Sequence, residues 1–298
     1  MLGIANYSMK GPMQAIIAVV LFSALSVFLA PFGILVGAII ALVTLRISVT
    51  EGFKTLIWGV VSNVALTILI SGNYFPAMIS IIEYMLPIWL LAVVLRQTNS
   101  LALALQLAMV ITGLSVVLFH MAVPNPVDWW VALFNQYVAP LFEASQIPFD
   151  AKLIPNLAEM VTMLIAIFMI ILWFSILIIA RWWQSELYNP GQFKIDFYQI
   201  SLPKSTAYTA IVLAILGLVS GAEAGLVYDL SGIIIAGLMF QGIAIAHHTV
   251  ATKELNKAWL VGLYILLFLF PQAMLILATI GLVDTWVDFR NRWENEEL

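Results

Sequence analysis

The chain has 298 residues, of which 63% are hydrophobic and only 9% are charged, against about 25% charged in ordinary soluble domains. Twelve basic and 16 acidic side chains cannot cover a soluble surface of this length, so lipid is most of the solvent. The net charge of −4 gives no basis for nucleic acid as a partner, and the lack of cysteine excludes disulfides, thiolate metal sites, iron–sulfur ligation and cysteine nucleophiles.

A membrane span needs about 20 mostly apolar residues, and a helix satisfies its own backbone in lipid. Runs at 12–30, 31–46, 54–71, 76–95, 100–121, 156–180, 205–222, 227–248 and 257–283 fit this description. The expected fold is all-α, a polytopic transmembrane bundle of about nine helices, with eight possible. The first run follows Lys10 as a signal peptide would, but no small-residue cleavage site follows, and it reads as an uncleaved span. Ala30-Pro31-Phe32-Gly33 breaks it from the short second run, predicting a tight hairpin or one broken unit.

Asn63 in the third span and Gln106 in the fifth can crosslink helices or line a cavity. Glu83 lies in the fourth, beside Tyr84 and ahead of Pro87, about 10 Å below the outer edge. Ionisable residues inside spans are the default functional candidates. This carboxyl can take a cationic ligand group, carry a proton or bond a neighbouring helix. His120 ends the fifth span on the outer side.

Residues 122–155 open with Pro124-Asn125-Pro126 and continue through Asp128-Trp129-Trp130 to Phe134. They predict an interfacial helix, either a membrane-hugging loop or a lid over an outward-facing site. On the other side, Arg181-Trp182-Trp183 marks the interface and Asn189-Pro190-Gly191 a turn. Phe193, Ile195 and Phe197 alternate with Lys194 and Asp196, a short strand-like pattern in a linker that could also dock a partner.

Gly217, Gly221 and Gly225 form GxxxG steps that predict close helix packing; Gly33 and Gly37 form another, and Gly232, Gly237 and Gly242 continue the theme. Glu223 and Asp229 flank the outer turn between the seventh and eighth spans. His247 and His248 point about 100° apart and cannot easily share a metal. No HExxH, G-x-S-x-G or phosphate-binding glycine loop occurs, so no metal, cofactor or ATPase of the chain's own is expected. The ninth run, with Pro271 near its middle, reads as one tilted, kinked helix. Two arms of about 13 residues would reach only about 20 Å each, too short to span. Asp284 and Asp288 stand one turn apart, and Arg292 follows Asp288 by four as a surface pair.

With the N-terminus in the cytoplasm, Lys10, Arg46, Lys54, Arg96, Arg181, Lys194, Lys204, Lys253 and Lys257 lie inside, and Lys152, Arg290 and Arg292 outside. The positive-inside rule favours this orientation. Eight spans would bring Arg290 and Arg292 inside as well.

Pro31-Phe32-Gly33 ahead of Leu45-Arg46, Glu51-Gly52-Phe53-Lys54, Phe240-Gln241-Gly242-Ile243-Ala244, and Gly281-Leu282-Val283-Asp284 with Asp288-Phe289-Arg290 together resemble the YybS-like family of predicted bacterial integral membrane proteins. That family resembles the S components of energy-coupling-factor vitamin transporters. The resemblance implies a six-helix core over 1–181 with the external loop 122–155, a cytoplasmic linker at 182–204, and a three-helix module at 205–298. It also implies a ligand near the outer face, held in part by Pro31 and Gly33; depth in the membrane adds Asn73, Tyr74, Glu83 and His120 as substrate-binding candidates. S components dock a coupling subunit through alanines four apart on the first helix. Here Ala15 and Ala18 are three apart, and Ser26 with Ala30 gives the matching small-residue spacing.

The functional expectation is binding or transport of a small molecule across a bacterial cytoplasmic membrane, with a membrane coupling subunit or an ion gradient as energy source. The alternative is a scaffold that organises other envelope proteins. An intramembrane enzyme has least support, with Glu83 and His120 its only nameable pair.

Overall fold

The computed structural model describes residues 2–145, 150–221 and 225–290. Its helices are α1 (Leu2–Ser8), α2 (Pro12–Ser26), α3 (Phe32–Arg46), α4 (Val49–Ser71), α5 (Phe75–Tyr84), α6 (Leu86–Thr98), α7 (Leu101–Ala122), α8 (Pro126–Leu133), α9 (Ala139–Ala144), α10 (Ile154–Tyr188), α11 (Gln192–Tyr198), α12 (Lys204–Ser220), α13 (Leu226–Thr252), α14 (Ala258–Leu269) and α15 (Ala273–Val287). No strand occurs among the described residues. Five helical stretches are long and apolar enough to cross a membrane: Val49–Ser71, Phe75–Thr98, Leu101–Ala122, Ile154–Tyr188 and Leu226–Thr252. The other apolar helices have 10–17 residues, so a helical membrane-type bundle is supported and the count of nine spans is not borne out.

The chain divides into two compact units, Met1–Ala108 with Ile171–Ile200, and Met109–Ile170 with Ser201–Leu298. Their boundaries fall inside α7 and α10 rather than at the linker expected at 182–204.

In the first unit α3 is central. Residues 36–45 are all buried, as an all-round apolar helix requires. The break at Pro31 makes α2 and α3 separate helices of 15 residues, about 22 Å each. The last carbonyls of α3 are satisfied from outside the helix. Arg96 Nη1 donates to the carbonyls of Thr44 and Leu45 at 2.9 and 2.7 Å, Nη2 to Ile47 at 3.1 Å, and Gln184 Nε2 to Leu45 at 3.3 Å. A guanidinium at a helix C-terminus also meets the negative end of the dipole. The alternating stretch 193–197 is helical, not extended. Gly191 enters α11 at φ 92°, and Phe193 and Phe197 stack at 5.6 Å one turn apart. Three alternations are too short to outweigh that turn.

In the second unit the closest packing is between α13 and α15. A Cβ at Gly242 would lie 2.1 Å from the Leu277 carbonyl oxygen, and one at Gly281 would lie 2.3 Å from that of Leu238. The backbones touch, and only glycine permits it. Gly232 and Gly237 lie instead against the side chains of Met163 and Met109. Gly217, Gly221 and Gly225 take no part in helix packing: open space surrounds each. Gly221 and Gly225 have φ of 59° and 109° and serve to end α12 and begin α13.

The ninth predicted span is two helices, not one kinked helix. Phe270 leaves helical geometry at φ −130°, ψ 85°, just before Pro271. Tyr264 on α14 reaches His247 at 2.8 Å, and Trp259 and Leu260 share a cleft with Thr249 and Val250, so α14 runs back along α13. Then Leu275, Ala278 and Leu282 share a cleft with Ser231, Ile235 and Leu238, while Val283 and Phe289 share one with Ile245. Residue numbers rise together, so α15 runs in the same direction as α13. The segment folds back at Pro271, and Arg290 ends near the C-terminal end of α13. Because the chain has no cysteine, single cysteines at Leu255 and Phe289 are predicted to label with an impermeant maleimide from the same membrane side. Labelling from opposite sides would restore the single kinked span.

Candidate functional site

The first unit holds a buried polar cluster where α2 ends. Asn63 on α4 is fully buried, and its Nδ2 donates to Ser23 O at 3.4 Å and Ser26 Oγ at 3.3 Å. Ser26 Oγ donates to Ser23 O at 2.8 Å, and Tyr84 Oη donates to Ser26 Oγ at 3.1 Å. The ring of Tyr84 lies on Gly33, where a Cβ would come within 2.5 Å of it. Asn63 is therefore a helix crosslink, whereas Gln106 Nε2 donates to the Ala102 carbonyl of its own helix.

Glu83 adjoins this cluster. Trp173 Nε1 donates to its backbone carbonyl at 2.7 Å, and Tyr84 beside it is buried. Its carboxylate is half-buried and has no hydrogen-bond or ion-pair partner among the described residues. The fold thus holds the backbone of Glu83 and leaves its carboxyl group without a partner among the described residues. Pro31 begins α3 and is exposed. Tyr74 is 65% exposed, and Asn73 Oδ1 accepts the Phe75 N–H at 2.9 Å. Asn73 and Tyr74 thus start α5 about 14 Å along the helix from Glu83. The structure brings together Gly33, Glu83 and Tyr84, and leaves Asn73 and Tyr74 apart from them.

His120 belongs to the second unit and meets a different carboxylate. Its Nε2 lies 2.7 Å from Asp229 Oδ2, with side chains 16% and 3% exposed. Asp229 sits in the first turn of α13, where the helix dipole favours a negative charge. Nearby, Trp130 Nε1 donates to Thr162 Oγ1 at 2.8 Å and holds α8 on α10. Phe119 and Trp129 pack against Trp130 with ring centroids 5.9 and 4.6 Å away. Sequence reasoning named His120 and Asp229 separately; only their depth in the outer halves of spans hinted at a pair 109 residues apart.

A second buried network joins α13 and α15. Gln241 Oε1 accepts the Leu202 N–H at 2.9 Å, its Nε2 donates to Asp284 Oδ2 at 2.9 Å, and Arg290 Nη2 donates to the same oxygen at 2.7 Å. Asp284 thus pairs with Arg290. Arg292, Glu223 and the tail acids Glu294, Glu296 and Glu297 lie outside the described residues. On α11, Asp196 accepts from Arg181 Nε at 2.8 Å, and partial burial raises the Tyr198 phenol above its ordinary value. No group of three His, Cys, Asp or Glu that could hold a metal occurs among the described residues.

Removing one partner of a buried ion pair leaves the other uncompensated. Asp229→Ala is predicted to destabilise the protein by about 3 kcal/mol, and the double variant with His120→Ala by less than the sum. Thermal denaturation in detergent checks this; additive losses would mean the two residues do not interact.

Residues 135–285, just over half the chain, match the family model described as Predicted membrane protein (DUF2232), and the chain belongs to that family. No curated protein and no solved structure matches it.

Proposed function

From membership of that membrane protein family we propose that this chain binds, and moves across a bacterial cytoplasmic membrane, a small molecule carrying a cationic group, with Glu83 as its counter-charge. The observation that carries the proposal is the half-buried carboxylate of Glu83, fixed through its backbone by Trp173 and left without a partner among the described residues. An unpaired acid in an apolar helix is costly to keep and marks a ligand or ion path by default. The orientation in this reading has the N-terminus in the cytoplasm. Arg290 then joins the cytoplasmic basic residues through the fold-back at Pro271, leaving Lys152 outside, in keeping with the positive-inside rule.

The likeness to S components supplies the substrate-binding part of this reading. The docking part has little support here. Ala15 and Ala18 are buried within the first unit, and Ser26 is buried and bonded to Tyr84, so neither small-residue pair offers a free face. An ion gradient suits this chain better than an ATPase partner. A scaffold for envelope proteins is the second reading, favoured by α11, a folded cytoplasmic elbow locked by Arg181 and Asp196 and offering Ile195, 52% exposed, to a partner.

The test is a thermal-shift screen of purified protein across vitamins, amines and lipid precursors, comparing wild type with Glu83→Gln. A ligand of the folded state raises its melting temperature. The expected result is a cationic compound that stabilises wild type and loses its effect in Glu83→Gln. Stabilisation that is equal in both would remove Glu83 from the site.

A further inference from the structure

Lys253-Glu254-Leu255-Asn256-Lys257 joins α13 to α14 in the second unit. α13 is long and apolar enough to cross a membrane, so this charged loop marks the membrane surface at its end. α14 has 12 residues and rises about 18 Å from that surface before the fold-back at Pro271. That is close to the depth of one leaflet, about 15 Å of hydrocarbon. None of the α14 residues is buried, and Trp259 in its first turn is 70% exposed, at the level where tryptophan favours the headgroup zone.

α14 stands off α13 and leaves a groove of about 300 Å³. Gly242, Ala246 and Val250 line it from α13, Leu260 and Leu263 from α14, and Ile280 from α15, with Leu255 and Trp259 at the loop end. The Thr249 hydroxyl, also in its wall, donates to the Ile245 carbonyl of its own helix at 2.8 Å, so the walls favour hydrocarbon over water. From Gly242 to Val250 the groove runs about 12 Å, so its volume leaves a cross-section of about 25 Å². A helix with its side chains is about 10 Å across and needs about 80 Å². One hydrocarbon chain fits this groove and a partner helix does not. A second groove of about 300 Å³, lined by Thr279, Val283 and Phe289, shares Ile245 and Ile280 with the first.

We propose that these two grooves bind one anionic phospholipid, with an acyl chain in each and the phosphate at Lys253 and Lys257. Chains that lie along α14 place their headgroup level with the loop. The loop carries two lysines, both exposed, against the single acid Glu254. Basic residues beside a cleft between membrane helices favour negatively charged headgroups over zwitterionic ones. A lipid seated there fills the space between α13 and α14 and adds to the bond between His247 and Tyr264 at 2.8 Å. The site asks nothing of Glu83 and is independent of the small-molecule reading above.

The test uses the purified full-length chain in detergent, titrated with dioleoyl phosphatidylglycerol or with dioleoyl phosphatidylcholine, which share the same chains. Native mass spectrometry counts the lipids retained, and thermal denaturation follows stability. The expected result is one phosphatidylglycerol per chain, a saturable rise in melting temperature, and several-fold weaker retention of phosphatidylcholine. The double variant Lys253→Gln, Lys257→Gln, which changes only exposed side chains, is expected to lower phosphatidylglycerol retention to the phosphatidylcholine level. Ala246→Leu, which fills the groove, is expected to weaken retention of both lipids. Equal retention of the two lipids by wild type would overturn the proposal, as would a preference that survives loss of both lysines. A lipid-free dimer would give the groove to a second copy of the chain and overturn it as well.

Discussion

In hydrocarbon, a polar group that loses water must find its partner within the protein. Several polar contacts of this chain answer to that constraint. The buried end of α3 is closed by Arg96 and Gln184. Asp229 takes His120, and Asp284 takes Gln241 and Arg290. Against that background two unmatched groups of the first unit lie next to contacts made by Tyr84: the carboxyl of Glu83 and the amide oxygen of Asn63; Trp183 Nε1 and Asp229 Oδ1 are also buried without a hydrogen-bond partner among the described residues.

The second unit answers a different requirement. Apolar helices in lipid gain nothing from hydrophobic burial against one another, so they associate through close backbone contact and a few polar bonds. Gly242 and Gly281 supply the contact, and Gln241 with Asp284 supplies the bond one residue and three residues away.

Much of this was legible in the sequence and some was not. Composition gave the helical membrane class, and the small-residue theme at Gly232, Gly237 and Gly242 coincides with positions where a neighbour leaves no room for a Cβ. The same logic misled at Gly217, Gly221 and Gly225, because a spacing pattern does not distinguish a packing face from the two glycines that bound a turn. Pro271 was visible, but a proline marks a break without giving its direction. The length argument against folding back assumed that each arm must span. Arg290 and Arg292 raise the eight-span alternative. His120 and Asp229 were each noticed, yet no local pattern connects residues 109 positions apart. The strand-like stretch at 193–197 shows how little three alternations weigh against a turn and an aromatic pair one helical turn apart.

The central claim is that Glu83 is an available carboxyl in a membrane where the other buried acids are committed. The most direct measurement is modification of the protein in intact membranes with an apolar carbodiimide, with the labelled acids identified by mass spectrometry. The account predicts label on Glu83 and none on Asp229 or Asp284. Label on Asp229 or Asp284 with Glu83 protected would show that Glu83 is the one already bonded, and would contradict the account.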